Sequence, residues 1–183
     1  MARLIALVGL PGAGKSTVTD VLVAHGFERV YFGGLTLEKL TEAGLEVNEA
    51  NERMMREQLR RDHGMAAYAK LNVPKIEAAL KNSSVIIDGL YSWEEFLFLR
   101  DRFDQLEVVA VYAPPKIRYQ RLSKRKDRPL TEDEVRSREI SQIENINQAG
   151  PIAMADWTFI NVGSTNDLIS ATEEYINGNK KSS

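Results

Sequence analysis

The segment Gly9-Leu10-Pro11-Gly12-Ala13-Gly14-Lys15-Ser16 decides the fold of this 183-residue chain. It fits the pattern G-x-x-x-x-G-K-[ST] and follows the short apolar run Leu4–Val8. A predicted helix begins near Lys15 and ends at His25, because Gly26 suits the left-handed position that closes a helix. Strand, glycine-rich turn and helix in this order predict a loop whose main-chain amides surround phosphate oxygens.

The residues of this loop have distinct predicted roles. We expect Lys15 to reach the β- and γ-phosphates of a nucleotide, Ser16 to ligate magnesium and Thr17 to contact the α-phosphate. The alternative is a turn that merely joins a strand to a helix. The pattern and its context favour ATP and Mg²⁺ as cofactors, with the nucleotide bound by Gly9, Pro11, Gly12, Ala13, Gly14, Lys15, Ser16 and Thr17.

Four further apolar runs are rich in β-branched residues and predict strands. They are Arg29–Phe32, Val85–Ile87, Val108–Tyr112 and Trp157–Val162. Strands that alternate with helices predict an α/β fold, a parallel sheet with helices on both faces.

Helix boundaries are predicted by capping patterns and by glycine and proline. Capping boxes are expected at Ser92 with Glu95, at Thr131 with Glu134, and at Ser164 with Asp167. Residues 34–81 carry a helical pattern without a convincing strand, and we interpret them as a helical insertion. Pro74 is expected to kink or divide the last helix of that insertion.

Composition suits one compact domain, which we place at residues 1–178, followed by a disordered tail at 179–183. The chain is 43% hydrophobic and 27% charged. It has no cysteine, which excludes disulfides and thiolate metal sites. No apolar run is long enough to span a bilayer, so we expect a cytoplasmic protein without a membrane partner. The net charge of −2 gives no overall attraction to nucleic acid, and the oligomeric state stays open.

The run Val85-Ile86-Ile87-Asp88-Gly89 is an apolar strand that ends in a carboxylate. Together with the loop above, this pattern predicts that Asp88 holds magnesium or its water shell, with Ser16 as the second metal ligand. No acidic residue follows Asp88 directly, and the chain has no N-K-x-D segment. Motor ATPases and GTPases are therefore disfavoured.

Basic residues cluster from Arg118 to Arg128, on and after a helix predicted to follow Pro115. A solvated helix face is one interpretation. The other is a lid over residues 115–150, in which Arg125, Arg128 and Arg138 stabilise the negative charge of a phosphoryl group in transfer. Lys15, Asp88 and these arginines are the candidate catalytic residues.

The P-loop, Asp88-Gly89, the arginine-rich helix and the segment from Ala155 to Ser164 together resemble the dephospho-CoA kinase and nucleoside monophosphate kinase group. The chain is most similar to a kinase-like family of archaea, which shares the run from Glu57 to Tyr68. The resemblance implies a three-layer P-loop kinase fold with a five-stranded parallel sheet in the order 2-3-1-4-5. It also implies that Asn161, Gly163 and Ser164 lie near the adenine ring. The dephospho-CoA kinases have the patterns R-L-x-x-R and R-x-x-x-Q in this region. The residues that fall at these positions here are Arg121, Arg125, Arg138 and Gln142.

The chain departs from these kinases after the second strand, where they carry an aspartate that assists the acceptor. Here the segment is Tyr31-Phe32-Gly33-Gly34. An acceptor phosphate needs no general base at neutral pH, whereas an alcohol usually benefits from one. We therefore expect a kinase for a nucleotide or nucleotide-like acceptor, bound by residues 34–81 with Arg53, Arg56, Arg60 and Arg61. A dephospho-CoA kinase, a non-catalytic ATP-binding regulator and a kinase of nucleic-acid ends are the alternatives.

Overall fold

A five-stranded, fully parallel sheet in the order β2-β3-β1-β4-β5 forms the centre of the protein. The computed structural model describes residues 2–125 and 129–179. The strands are β1 (Leu4–Val8), β2 (Glu28–Tyr31), β3 (Val85–Asp88), β4 (Leu106–Tyr112) and β5 (Trp157–Ile160). Each predicted strand is present, and the predicted strand order is confirmed.

Helices follow the strands as the sequence predicts. They are α1 (Lys15–Ala24), α2 (Gly34–Glu42), α3 (Glu49–His63), α4 (Ala67–Leu80), α5 (Trp93–Arg102), α6 (Pro115–Ser123), α7 (Glu132–Ile146), α8 (Ala149–Ala153) and α9 (Thr165–Asn179). No helix among the described residues is both long and apolar enough to cross a membrane.

Helices cover both faces of the sheet, because alternate residues of each strand point to opposite sides. In β1, which is fully buried, Leu4, Ala6 and Val8 join a core with α2 to α5. Ile5 and Leu7 of the same strand join a second core with α1 and α9. The result is a three-layer α/β fold in which the carboxyl ends of the strands share one edge.

The segment between β2 and β3 consists of α2, α3 and α4, as predicted for the insertion. Pro74 lies inside α4 and does not divide it. Ile76 and Ala69, on either side of the proline, are fully buried in the core. Tertiary packing therefore keeps the helix continuous despite the hydrogen bond that proline removes.

The three predicted capping boxes are confirmed. Ser92 and Glu95 exchange reciprocal bonds at the start of α5, as do Thr131 and Glu134 at the start of α7. Ser164 and Asp167 do the same before α9. That last helix includes Asn179, one residue beyond the predicted end of the domain. The rest of the predicted tail, 180–183, lies outside the described residues.

Candidate nucleotide site

The glycines of the P-loop adopt backbone conformations that other residues rarely take. Gly12 and Gly14 have φ angles of +77° and +110°. A Cβ atom on Gly12 would lie 2.9 Å from the carbonyl oxygen of Arg118, and one on Gly14 would overlap the side-chain amide of Asn161. Glycine is therefore required here by the turn itself and by the close approach of α6 and of the β5–α9 connection.

The loop presents main-chain N–H groups at the start of α1. Ala13 donates its N–H to Leu10 at 3.2 Å, which closes the turn. By contrast, the N–H groups of Gly12, Gly14, Lys15 and Ser16 have no acceptor within residues 2–125 and 129–179. Gly14 caps the helix without a side-chain hydrogen bond, so these donors of the first turn are not capped. Such a group of amides, reinforced by the helix dipole, suits an anion.

Lys15 lies at the mouth of the loop. Its ammonium donates to the carbonyl oxygen of Gly9 at 2.6 Å and to that of Leu10 at 3.4 Å. Burial lowers the pKa of Lys15 to about 8, an effect that the Asp88 carboxylate opposes and the Arg125 guanidinium reinforces. Lys15 is partly buried, and the negative charge of an added polyphosphate would favour its charged form.

Asp88 ends β3 directly beside the end of β1, where it is paired in register with Leu7. Asp88 as a whole residue is 9% exposed. One of its carboxylate oxygens, Oδ2, accepts from the Arg29 guanidinium of the neighbouring strand β2. The structure thus brings Lys15 and Asp88 together, as the sequence predicts, and adds an arginine that the sequence did not indicate.

Asn161 ties the P-loop to the sheet edge. Its side-chain amide donates to the Ala13 carbonyl at 2.7 Å, and its main-chain N–H donates to Tyr112 at 2.7 Å. Its Oδ1 accepts from Arg121 at 3.1 Å. Arg121 also reaches the Gly163 carbonyl at 3.4 Å, while Ser164 caps α9. Of the residues predicted to lie near the adenine ring, Asn161 therefore contacts the P-loop, and its side chain already has protein partners.

The arginine cluster divides into residues with different environments. Arg118 is 3% exposed and forms a two-pronged ion pair with the buried Glu139 of α7, with both N–O distances at 2.9 Å. It belongs to the core rather than to a solvated face. Arg125 is exposed and acts electrostatically on Lys15. Arg138 is exposed on α7, where its charge acts on Glu134. The third predicted lid arginine, Arg128, lies outside the described residues.

Among the arginines of α3, Arg60 points inward. Its guanidinium lies 5.7 Å from the centre of the Tyr68 ring, and its Nε is buried without a hydrogen-bond partner in the part of the chain that the structure describes. Arg53 instead pairs with Glu57 at the surface, and Arg56 pairs with Glu49 and Glu52.

Glu95 of α5 completes this inner region. One oxygen accepts from the N–H groups of Tyr91 and Ser92, whereas the other is buried and has no partner among the described residues. Burial raises the pKa of Glu95 to about 7, although these two N–H groups and the charge of Arg60 favour ionisation.

Sequence reasoning missed two residues near the P-loop. Arg29 carried no clear signal, because it stands at the start of its strand next to another charged residue, Glu28. Gln148 carried none. It is fully buried between α7 and α8, and its side-chain amide donates to the Gly9 carbonyl at 3.4 Å, the same oxygen that accepts from Lys15.

The side-chain oxygens at this edge of the sheet suit a magnesium ion that is also bound by phosphate oxygens. Ser16 is exposed at the start of α1, and Asp88 supplies a carboxylate at the adjoining strand end. No group of three or more histidine or acidic side chains that could enclose a metal occurs among the described residues. Magnesium usually takes one or two protein ligands together with substrate phosphates and water. Ser16 and Asp88 would supply two such protein ligands.

Comparisons with known proteins show the family of this chain. A family model described as "AAA domain" matches residues 5–144. A UPF0200 protein of Thermococcus kodakarensis is 33% identical over 178 residues, which cover 94% of this chain and 96% of the relative. The predicted similarity to a family of archaeal proteins is thereby confirmed. The predicted grouping with the dephospho-CoA kinases stays a prediction.

Solved structures share the fold. The crystal structure of TT1252 from Thermus thermophilus has a TM-score of 0.68 at 20% identity and covers 97% of both chains. Shikimate kinase from Bacteroides thetaiotaomicron has a TM-score of 0.61 at 15% identity and covers 96% of this chain and 98% of its own. At these identities the likeness establishes a P-loop kinase fold.

Proposed function

The chain belongs to the UPF0200 family, and on that premise we propose that it is an ATP-dependent kinase that transfers the γ-phosphoryl group to a nucleotide or nucleotide-like acceptor. The observation that carries this proposal is the group of P-loop N–H groups that lack an acceptor among the described residues and lie beside Lys15 and Asp88. Together they offer hydrogen-bond donors, a cation and a carboxylate at one edge of the sheet, which is what a magnesium-bound triphosphate requires.

In the proposed reaction, the P-loop N–H groups hold the β- and γ-phosphates, and Lys15 leaves the Gly9 carbonyl to contact them. Ser16 and Asp88 would hold magnesium, which supplies positive charge to the phosphate oxygens when bound. Arg125, with Arg138 and Arg128 as further candidates, neutralises the charge of the phosphoryl group in transfer. The bond from the γ-phosphorus to the β–γ bridging oxygen breaks, a bond from the acceptor oxygen to that phosphorus forms, and ADP leaves with the bond's electron pair.

An ionised acceptor oxygen fits the protein side chains best. The segment after β2 provides glycines in place of a carboxylate. Asp88 is engaged by Arg29, and Glu95 is directed to the main chain of Tyr91 and Ser92. A phosphate acceptor is already ionised at neutral pH, so its oxygen can attack without giving a proton to any of these groups.

Titration calorimetry with MgATP tests the nucleotide site. We expect binding at micromolar to millimolar concentration, and Lys15→Met should weaken it by about 10- to 100-fold, since one charge-assisted hydrogen bond contributes about 1.5–3 kcal/mol. Lys116→Met, which removes an exposed lysine on α6, is the matched control and should bind as the wild type does. Equal binding by the wild type and Lys15→Met would contradict the site.

The acceptor is tested separately, by incubating the protein with MgATP and a panel of compounds. Nucleoside monophosphates and diphosphates represent phosphate acceptors, while dephospho-CoA, shikimate and gluconate represent alcohols. Phosphorylated nucleotide is the expected product. Turnover of dephospho-CoA alone would replace the proposed acceptor with the alternative kinase activity.

A non-catalytic ATP-binding regulator is the second candidate. It is favoured by the glycines at positions 33 and 34, which leave an alcohol acceptor without a general base. This candidate predicts MgATP binding without product from any acceptor, and an affinity that Arg125→Ala does not change.

A further inference from the structure

Arg29 and Asp88 form an ion pair across the two strands that lie furthest along one side of the sheet. The guanidinium of Arg29 contacts Asp88 Oδ2, and its central carbon lies 4.9 Å from the centre of the Tyr31 ring. Tyr31 follows two residues later on the same strand and is paired in register with Asp88. The arginine is therefore held at two points, a carboxylate and an aromatic face.

The two partners differ in freedom. The Asp88 side chain is 12% exposed and is fixed at a strand end, whereas the Arg29 side chain is 45% exposed. A guanidinium that already contacts water can leave its partner readily, because solvent hydrates the released cation. If the pair opens, the arginine moves and the carboxylate stays.

The same carboxylate is the proposed ligand for magnesium. A divalent cation and a guanidinium compete for one carboxylate, because each is attracted by the same single negative charge and repels the other. Lys15 adds a further positive charge close to Asp88. A metal-bound nucleotide brings both the competing cation and phosphates whose negative charge offsets it.

We propose that Arg29 occupies Asp88 in the metal-free protein and is displaced when the magnesium nucleotide binds, so that Arg29 sets the magnesium requirement of the site. This inference rests on the proposed nucleotide site. It assigns to Arg29 the role of a competitor for magnesium that acts through Asp88 and does not itself contact the nucleotide. The released guanidinium stays beside Tyr31, at the end of β2 from which the acceptor-side segment begins.

The test is the magnesium dependence of ATP binding, measured by calorimetry at several fixed magnesium concentrations. Arg29→Met removes the competitor, and the magnesium concentration for half-maximal ATP binding should fall by about two- to fivefold, which is the fold-change equivalent of 0.4–1 kcal/mol. Arg29→Lys keeps the charge without the planar contact. Its magnesium concentration for half-maximal ATP binding should lie between those of the wild type and Arg29→Met.

The sign of the change decides the outcome. If Arg29 served to orient Asp88 for the metal, Arg29→Met would raise the magnesium requirement, and either this result or no change overturns the competition. An Asp88→Asn background provides a double-mutant control, in which the effect of Arg29→Met should disappear. Thermal denaturation checks that each variant is folded, and Arg29→Lys carries the test if Arg29→Met is not. Wild-type protein that binds no ATP at any magnesium concentration would overturn the proposed function and this inference together.

Discussion

The P-loop and the helical segment between β2 and β3 both adjoin the carboxyl ends of the strands, but they hold their charged groups differently. At the P-loop, Lys15 donates to main-chain carbonyls, and the side chain of Asn161, which follows β5, donates to the Ala13 carbonyl. In the segment of α2 to α4, Arg53 and Arg56 pair with acids of their own helix. Main-chain contacts thus hold the P-loop, the proposed nucleotide side, whereas a few inward side chains such as Arg60 distinguish the α2–α4 segment, the proposed acceptor side.

The largest effect is expected on the nucleotide side, at the buried pair that joins α6 to α7. Arg118→Met should lower the free energy of unfolding by about 3–5 kcal/mol, because Glu139 would remain buried without its partner. Urea denaturation measures the change. Arg136→Met, an exposed position on the same helix as Glu139, is the control and should stay within about 0.5 kcal/mol of the wild type. Equal urea denaturation curves for the two variants would show that the Arg118–Glu139 pair does not stabilise the contact between α6 and α7.

The next effect belongs to the acceptor side and depends on pH. The pKa of Glu95 is about 7 in the folded protein against a usual 4.5, so the native state keeps a proton that the unfolded chain loses in between. The free energy of unfolding should therefore fall as pH rises from about 4.5 to 7.

Glu95→Gln removes this dependence. The difference in free energy of unfolding between the variant and the wild type should rise by about 3 kcal/mol from pH 4.5 to pH 8, since each pKa unit corresponds to about 1.4 kcal/mol. Denaturant titrations at the two pH values measure the difference, with the exposed Glu173→Gln as control. Parallel changes in both variants would contradict a buried neutral carboxyl.

A smaller loss is expected where the P-loop meets β5. Asn161→Ala leaves the Ala13 carbonyl without its donor and Arg121 without one acceptor, which should cost about 1–3 kcal/mol of stability. ATP affinity, measured by calorimetry, should fall as well because the loop loses its lateral support. A variant with full stability but weakened ATP binding would instead indicate that Asn161 acts directly on the nucleotide.

The smallest effect should come from the outward arginines of α3. Arg53→Ala removes a surface pair with Glu57 and should leave the urea midpoint unchanged. Arg60→Ala should lower that midpoint, because it removes a guanidinium packed on Tyr68. Similar midpoints for the two variants would remove the distinction between inward and outward arginines on the acceptor side.

Local patterns predicted much of this structure. The glycine-rich loop, the three capping boxes and the five strands depend on neighbouring residues, and each is found where the sequence places it. The strand order came from resemblance to known kinases. The P-loop and strand patterns assigned Lys15 and Asp88 to one predicted site, and in the structure their charges interact.

Contacts across long separations were not predictable in the same way. Arg29 and Asp88 are 59 residues apart, and Asn161 lies 148 residues from the carbonyl that it supports. Arg118 appeared to belong to a basic surface, yet its partner Glu139 is 21 residues away on another helix. A composition-based pattern cannot distinguish a solvated arginine from a buried one, because burial depends on how helices pack.

The sequence by itself therefore determined the anion-binding loop and the alternation of strands and helices, since both arise from backbone conformation and short-range periodicity. Only the tertiary structure decided which charges meet at the site. Arg29 reaches Asp88 because β2 lies beside β3, and Gln148 reaches Gly9 because the α7–α8 junction packs over the loop. Electrostatic pairing depends on distances through space, and those distances are set by the packing of the whole fold.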